Sequence, residues 1–138
     1  MSSILKISEA VSLAIHAVII TALRDGERVS TSEIAEAIDA SGAHLSKVMQ
    51  RLVKAGLVKS NRGPGGGFVL ADKPSKIKLV DIYLAIEGSF PHSNCLFEKK
   101  ICGKSECFLG GFLKKINTEC SDYFKNTTIA DLISSGGK

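Results

Sequence analysis

Four cysteines carry the most distinctive side-chain chemistry in this 138-residue sequence. Cys95, Cys102 and Cys107 are separated by six and four residues, and Cys120 follows after twelve more. Three thiolates within 13 residues suit a soft metal ion or an iron–sulfur cluster. No Cys-x-x-Cys pair is present, which disfavours a structural zinc knuckle. Spacing alone leaves buried free cysteines or a redox-active thiol pair as alternatives, and Cys120, on an apolar helical stripe, is predicted to be a buried side chain.

Positive charge is concentrated in the middle of the chain, whose formal net charge is +4. Residues 41–80 contain eight basic residues and one acidic residue, whereas residues 1–40 contain three basic and six acidic residues. Such a basic segment is typical of a nucleic-acid-binding surface. A predicted helix within it has a polar face that can bond base edges or phosphates, and this face includes His44, Ser46, Lys47, Gln50 and Arg51.

The same basic segment contains a glycine-rich loop, Asn61–Gly67, between two predicted strands, Leu57–Ser60 and Phe68–Ala71. A hairpin needs only two or three turn residues, so the length of this loop indicates another role. Glycines let the backbone approach DNA closely, and a guanidinium beside them can enter the minor groove. A strand follows the loop and no Gly-Lys-Ser/Thr ending is present, which disfavours a nucleotide-binding loop. The predicted DNA contacts are Ser41, His44, Ser46, Lys47, Gln50, Arg51, Lys59, Arg62, Gly63, Pro64, Gly65, Gly66 and Gly67.

The elements that must position these residues follow from apolar periodicity and capping signals. Two short helices, a tight turn and a β-hairpin define a winged helix-turn-helix, whose second helix enters the major groove. The predicted fold is therefore mainly α, with a two-stranded wing. The predicted helices are Ser8–Leu23, Ser30–Ile38, Ala43–Lys54, Val80–Glu87 and about Cys107–Lys125, and then a short one that Thr128 and Asp131 begin.

Composition and pattern exclude several other classes of protein. The chain is 44% hydrophobic and 23% charged, as in a globular domain. Its most apolar stretch, Ala10–Leu23, is too short and too interrupted to span a bilayer, and we see no secretion signal. We therefore expect a cytoplasmic protein that does not act at a membrane. No nucleophile–base pair or paired carboxylates stand out, so we do not expect an enzyme.

The segment Arg62-Gly63-Pro64-Gly65-Gly66-Gly67-Phe68, preceded by Ala55–Val58 and followed by Leu70-Ala71, resembles the winged-helix repressor family that includes IscR, NsrR and CymR. Asp81-Ile82 and Ala85–Gly88 extend this resemblance, which covers nearly the whole chain. The resemblance implies a homodimer, joined through the long C-terminal helix, that binds a pseudo-palindromic operator in double-stranded DNA. The apolar stripe on that helix agrees with a dimerisation role.

The resemblance also bears on the cysteines, because iron–sulfur members of the family carry three cysteines in this same loop. It implies Cys95, Cys102 and Cys107 as ligands of a two-iron (2Fe–2S) or four-iron (4Fe–4S) cluster, which air can remove during purification. One branch of the family takes a fourth ligand from a histidine just after the third cysteine, and this sequence has none there. Another branch takes an acidic residue from the first helix of the other subunit. Glu9 occupies that position here, and His92 is the alternative.

The predicted function is a homodimeric DNA-binding repressor of transcription that senses iron–sulfur status, redox state or nitric oxide through its loop cysteines. Two alternatives keep the same fold without a cluster. In one the thiols are oxidised as the signal, and in the other the C-terminal half binds a partner protein, as CymR-type members bind an enzyme. The predicted organisation is a DNA-binding domain over residues 1–88, a cysteine loop over 89–106, and dimerisation and C-terminal helices over 107–138.

Overall fold

The structure, a computed structural model, describes residues 6–90 and 109–136. It confirms the mainly α winged helix-turn-helix, and the helix ends agree with the predicted ones to within a few residues, as usual for fraying termini. No helix in the described part of the chain is long and apolar enough to cross a membrane. The elements are α1 (Glu9–Leu23), α2 (Thr31–Ile38), α3 (Gly42–Lys54), β1 (Val58–Asn61), β2 (Gly67–Leu70), a 3-10 turn (Pro74–Lys76), α4 (Leu79–Glu87), α5 (Gly110–Asn126) and α6 (Ile129–Gly136).

The helix-turn-helix, α2 and α3, begins at the capping residues that the sequence indicates. The Ser30 hydroxyl accepts a hydrogen bond from the Glu33 N–H at 3.1 Å, and the Ser30 N–H donates to the Glu33 carboxylate at 3.4 Å. That backbone hydrogen bond holds the pKa of Glu33 below its ordinary value. Asp39, in the left-handed conformation, ends α2, and the Ser41 hydroxyl accepts from the His44 N–H to begin α3. The short turn between these caps fixes the two helices relative to each other.

The core is built around α1, which packs against α2, α3, α4, α6 and β2. The C-terminal α6 is held beside the start of α4 by backbone hydrogen bonds, from Leu79 N–H to the Thr127 carbonyl at 3.0 Å and from Ile129 N–H to the Ile77 carbonyl at 2.8 Å. The DNA-binding elements and the C-terminal helices thus share one core. Fully buried side chains in it include Val11, Val18, Ile34, Leu45, Met49, Leu52, Ile82 and Ile129.

Leu52 lies at the centre of this core, so Leu52→Ala is expected to lower the free energy of unfolding by about 2–5 kcal/mol. Leu23→Ala is the matched control, because the Leu23 side chain is 61% exposed at the end of α1. The control should cost less than about 1 kcal/mol. Urea denaturation followed by circular dichroism measures both values, and equal losses would contradict this placement of the core.

Candidate nucleic-acid interface

The helix α3 directs its predicted polar residues away from the core, since Leu45, Val48, Met49 and Leu52 on its other face are buried. Lys47 and Gln50 are exposed, and His44 and Ser46 are half-buried beside them. The hydroxyl of Ser41 is already used as the helix cap, although the residue itself is exposed at the start of the same face. The described structure therefore places these five predicted residues on one accessible surface.

Arg51 differs from the other predicted contacts on α3. Its Nη1 donates to the Ile86 carbonyl at 3.0 Å, in the last turn of α4. A cation is favourable there, because the carboxyl end of a helix carries the negative end of its dipole. This bond attaches α3 to α4. Sequence periodicity identifies Arg51 as polar but does not show which surface the side chain meets, so this contact was missed.

The wing is the antiparallel pair β1–β2, and its tip is residues 62–66. Gly63 and Gly65 have φ of 93° and 74°, in the region that favours glycine. Gly66 N–H donates to the Gly63 carbonyl at 2.8 Å, and a Cβ on Gly66 would collide with the Asn61 carbonyl oxygen. Arg62 is exposed on this tightly folded tip, as predicted for a DNA-contacting loop. Lys59 is exposed on β1 behind it.

The wing is attached to the segment that precedes α2, a contact that sequence analysis missed. Val29 N–H donates to the Phe68 carbonyl at 3.1 Å, and Phe68 N–H donates to the Val29 carbonyl at 2.8 Å. Gly67 passes so close that a Cβ there would lie 2.7 Å from the Val29 oxygen. Arg28 Nη1 donates to the Gly65 carbonyl at 3.2 Å. These contacts tie the wing to the segment that leads into the helix-turn-helix.

The predicted metal ligands Cys95, Cys102 and Cys107, and the alternative ligand His92, lie outside the described residues. Within residues 6–90 and 109–136, no group of three or more His, Cys, Asp or Glu side chains has the arrangement of a metal site. Glu9 lies exposed in the first turn of α1. Its carboxylate is therefore available to a group outside its own helix.

The last described residues before position 91 contact both α1 and α5. The Ser8 hydroxyl, which caps α1, donates to the Glu87 carboxylate at 2.5 Å. The Phe90 ring packs against Tyr83 and Phe124, with centroid distances of 4.7 and 5.5 Å. Burial, and then the charge of Glu87, raise the pKa of the Tyr83 phenol. The chain thus enters the cysteine-bearing segment from a junction of α1, α4 and α5.

An apolar groove of about 530 Å³ lies between α1, α5 and α6. Ile15, Ile19, Cys120, Tyr123 and Leu132 are among the residues that line it. Cys120 is half-buried in its wall, on the face of α5 that the sequence predicted to be apolar. On the same helix Phe112 is 62% exposed, whereas Phe124 is buried.

This combination of a helix-turn-helix, a basic recognition face and a docked wing defines a winged-helix DNA-binding transcription regulator. Comparison with known proteins identifies the family within this class. The profile of Rrf2, described as "Iron-dependent Transcriptional regulator", matches residues 7–135. The chain therefore belongs to the Rrf2 family, whose members in these comparisons are transcriptional regulators and not enzymes.

One relative and two solved structures illustrate the similarity. The "Putative HTH-type transcriptional regulator" of Aquifex aeolicus (strain VF5) is 34% identical over 130 residues, which cover 92% of this chain and 90% of that protein. CymR, the global cysteine regulator of B. subtilis, aligns with a TM-score of 0.82 and 28% identity over 96% of this chain and 98% of that one. T. potens IscR aligns with a TM-score of 0.75 and 26% identity over 96% and 88% of the two chains.

Proposed function

We propose that this protein is a cytoplasmic, homodimeric repressor whose DNA affinity depends on an iron–sulfur cluster held by its loop cysteines. In this proposal α3 enters the major groove and the wing tip enters the adjacent minor groove. The observation that carries the DNA docking is the attachment of the wing to Val29, immediately before α2, which ties the wing to the helix-turn-helix. Half-site recognition requires such a fixed relation between elements.

The chemistry of the side chains on this surface agrees with this docking. His44, Ser46, Lys47 and Gln50 supply donors and acceptors for base edges and phosphates. Arg62 supplies a guanidinium to a narrow minor groove, beside glycines that let the backbone approach closely. Lys59, on β1, and Ser41, at the start of α3, extend this surface to neighbouring phosphates. Arg51 acts through the position of α3, since its guanidinium bonds α4.

Lys47→Ala is expected to weaken binding to all duplexes about equally and to reduce the slope of log K against log salt by about one, because one phosphate contact is lost. Lys114→Ala removes the same charge from an exposed position on α5 and should leave the slope unchanged. Fluorescence anisotropy with a labelled duplex, recovered by selection from random sequence, measures both variants over a series of salt concentrations. Equal slopes for the two variants would contradict the docking of α3 on DNA.

The exposed stripe of α5 supports the homodimer. Phe112, Ile116 and Tyr123 are 62%, 36% and 55% exposed, which leaves three large apolar side chains of one helix in contact with water. A second copy of the chain that packs on this stripe would remove it from water. A symmetric dimer also presents two copies of α3 to two half-sites, as a pseudo-palindromic operator requires.

For the signal, the donor set fits an iron–sulfur cluster. Cys95, Cys102 and Cys107 supply three thiolates, and we assign the fourth position to Glu9 of the partner subunit, with His92 as the alternative. When bound, the cluster supplies a centre that reacts with oxidants and nitric oxide. The family description as an iron-dependent regulator and the similarity to IscR support this assignment.

Two hydrogen bonds at the end of α4 offer a path from this segment to the DNA-binding face. Ile86 accepts from Arg51 of α3, and Glu87 accepts from Ser8 at the start of α1. A displacement of the end of α4 would therefore be transmitted to α3 through the bond between Arg51 and Ile86. Since half-site spacing is geometrically strict, a small displacement of α3 is sufficient to change operator affinity.

The second candidate is a regulator of the same fold that uses thiol oxidation or a partner protein as its signal. The similarity to CymR, described as a global cysteine regulator, and to a structure described as the oxidized form of Staphylococcus aureus CymR favours it. It predicts an iron-free protein whose DNA affinity changes reversibly with oxidant and reductant, or with a co-purifying protein. Iron and sulfide analysis of protein prepared without oxygen separates the two candidates.

A further inference from the structure

We propose that Arg28 is a positioning residue for DNA binding, whose guanidinium holds the wing tip in place and does not itself contact DNA. This inference rests on the proposed docking of the wing in the minor groove. Arg28 lies in the α1–α2 connection and was not among the residues that sequence analysis assigned to the interface. Its role follows from what its side chain bonds, 37 residues further along the chain.

The wing is supported unequally along its length. Its two strands are held by the β1–β2 ladder and by the backbone pair of Val29 with Phe68, the residue next to Gly67 of the last ladder pair. The tip projects beyond the last ladder pair, Asn61 and Gly67, and contains an internal hydrogen bond from Gly66 to Gly63. Arg28 adds a bond to the tip from outside the wing, through the Gly65 carbonyl.

A glycine-rich tip needs such a support if it is to bind the minor groove in a fixed position. Gly63 and Gly65 already occupy left-handed conformations, and glycine has more backbone freedom to lose than any other residue. If the tip is ordered only when DNA binds, the entropy of ordering it reduces affinity. A bond that holds the Gly65 peptide in the free protein removes part of that cost, and it also fixes the position of Arg62 in the same tip.

The electrostatic surroundings of Arg28 favour this role over a phosphate contact. The connection from Arg24 to Arg28 contains two basic and two acidic residues, so it is not a positively charged surface like that of α3. Arg24 is itself paired with Glu33 at 2.7 Å. Arg28 thus stands in a locally neutral segment, and the contact that it makes is to a neutral carbonyl.

A double-mutant cycle of Arg28→Met with Arg62→Ala tests the proposal. Anisotropy with the selected duplex measures the affinity and salt slope of wild type, both single variants and the double variant. We expect Arg28→Met to weaken binding about tenfold without changing the salt slope, since no phosphate contact is lost. In the Arg62→Ala background, the same substitution should change affinity less than about twofold, because the tip then no longer carries the guanidinium that contacts DNA.

A measurement without DNA separates positioning from contact. Hydrogen exchange at the Gly66 amide should become faster in Arg28→Met than in wild type, because the tip opens more readily. Unchanged exchange, a salt slope reduced by about one, or additive effects of the two substitutions would overturn the role of Arg28 while leaving the docking proposal intact. If Arg62→Ala itself leaves affinity unchanged, the docking of the wing is wrong and the role of Arg28 falls with it.

Discussion

Replacing Gly67 by alanine is expected to reduce DNA affinity by about one to two orders of magnitude while the helical core stays folded. Gly67 has a φ of 155°, which side-chain-bearing residues rarely adopt, and its Cβ would lie 2.7 Å from the Val29 carbonyl oxygen. Strain of this kind costs about 1–3 kcal/mol, and the chain can relieve it by separating β2 from Val29. The wing would then lose its fixed position relative to α2 and α3, and the affinity for DNA that α3 and the wing supply together would fall.

Gly111→Ala is the matched control for this substitution. Gly111 is the second residue of α5, where a Cβ would meet nothing within 4 Å, so alanine should raise the free energy of unfolding by less than about 1 kcal/mol. Its DNA affinity should equal that of the wild type. Anisotropy and urea denaturation measure both variants. If Gly67→Ala binds DNA as tightly as the wild type, the attachment of the wing to Val29 has no part in recognition.

The helices could be predicted because their signals are local. The capping residues Ser30, Glu33 and Ser41 lie within one turn of the groups that they bond, so the sequence itself displays both partners. Periodicity over α3 likewise identifies its buried face without knowledge of what covers it. The mainly α winged fold and the exposed face of α3 therefore followed from the sequence.

The strands were predicted less well, and for a physical reason. Each strand is displaced by one residue from its predicted bounds, and the tip contains five residues where the sequence analysis expected seven. The last ladder pair joins Asn61 to Gly67, two residues that composition assigns to the loop. Glycine and asparagine are favoured in turns and depleted in strands, so composition places both in the loop, and only the hydrogen-bond register shows that the ladder includes them.

The contacts that give the interface its rigidity could not be predicted. Arg28 with Gly65, Val29 with Phe68, and Arg51 with Ile86 are 35 or more residues apart in sequence. Each pair depends on the packing of α1 with β2 or of α3 with α4, and neither residue of a pair carries a local signal for the other. Arg51 was therefore predicted as a DNA contact without its bond to α4, and Arg28 had no predicted role.

Cys102→Ala is expected to abolish iron binding altogether, because an iron–sulfur cluster with three thiolate ligands would lose one of them. Wild-type protein prepared without oxygen should be coloured and contain iron and sulfide in matched amounts, whereas the variant should be colourless after attempted reconstitution. The variant should keep its helical circular dichroism, since the described residues of α1, α3, α4 and α6 already form one buried core with one another.

Cys120→Ala provides the control, because it removes a thiol that lies half-buried in the groove wall on α5. It should retain the colour and the iron content of the wild type. A Cys102→Ala variant that keeps its iron would exclude Cys102 as a ligand. A wild type without iron, even after reconstitution, would favour the thiol or partner-protein regulator instead. The DNA-binding predictions are independent of either result, since they depend on α3 and the wing, whose positions are fixed by contacts within the core and the α1–α2 connection.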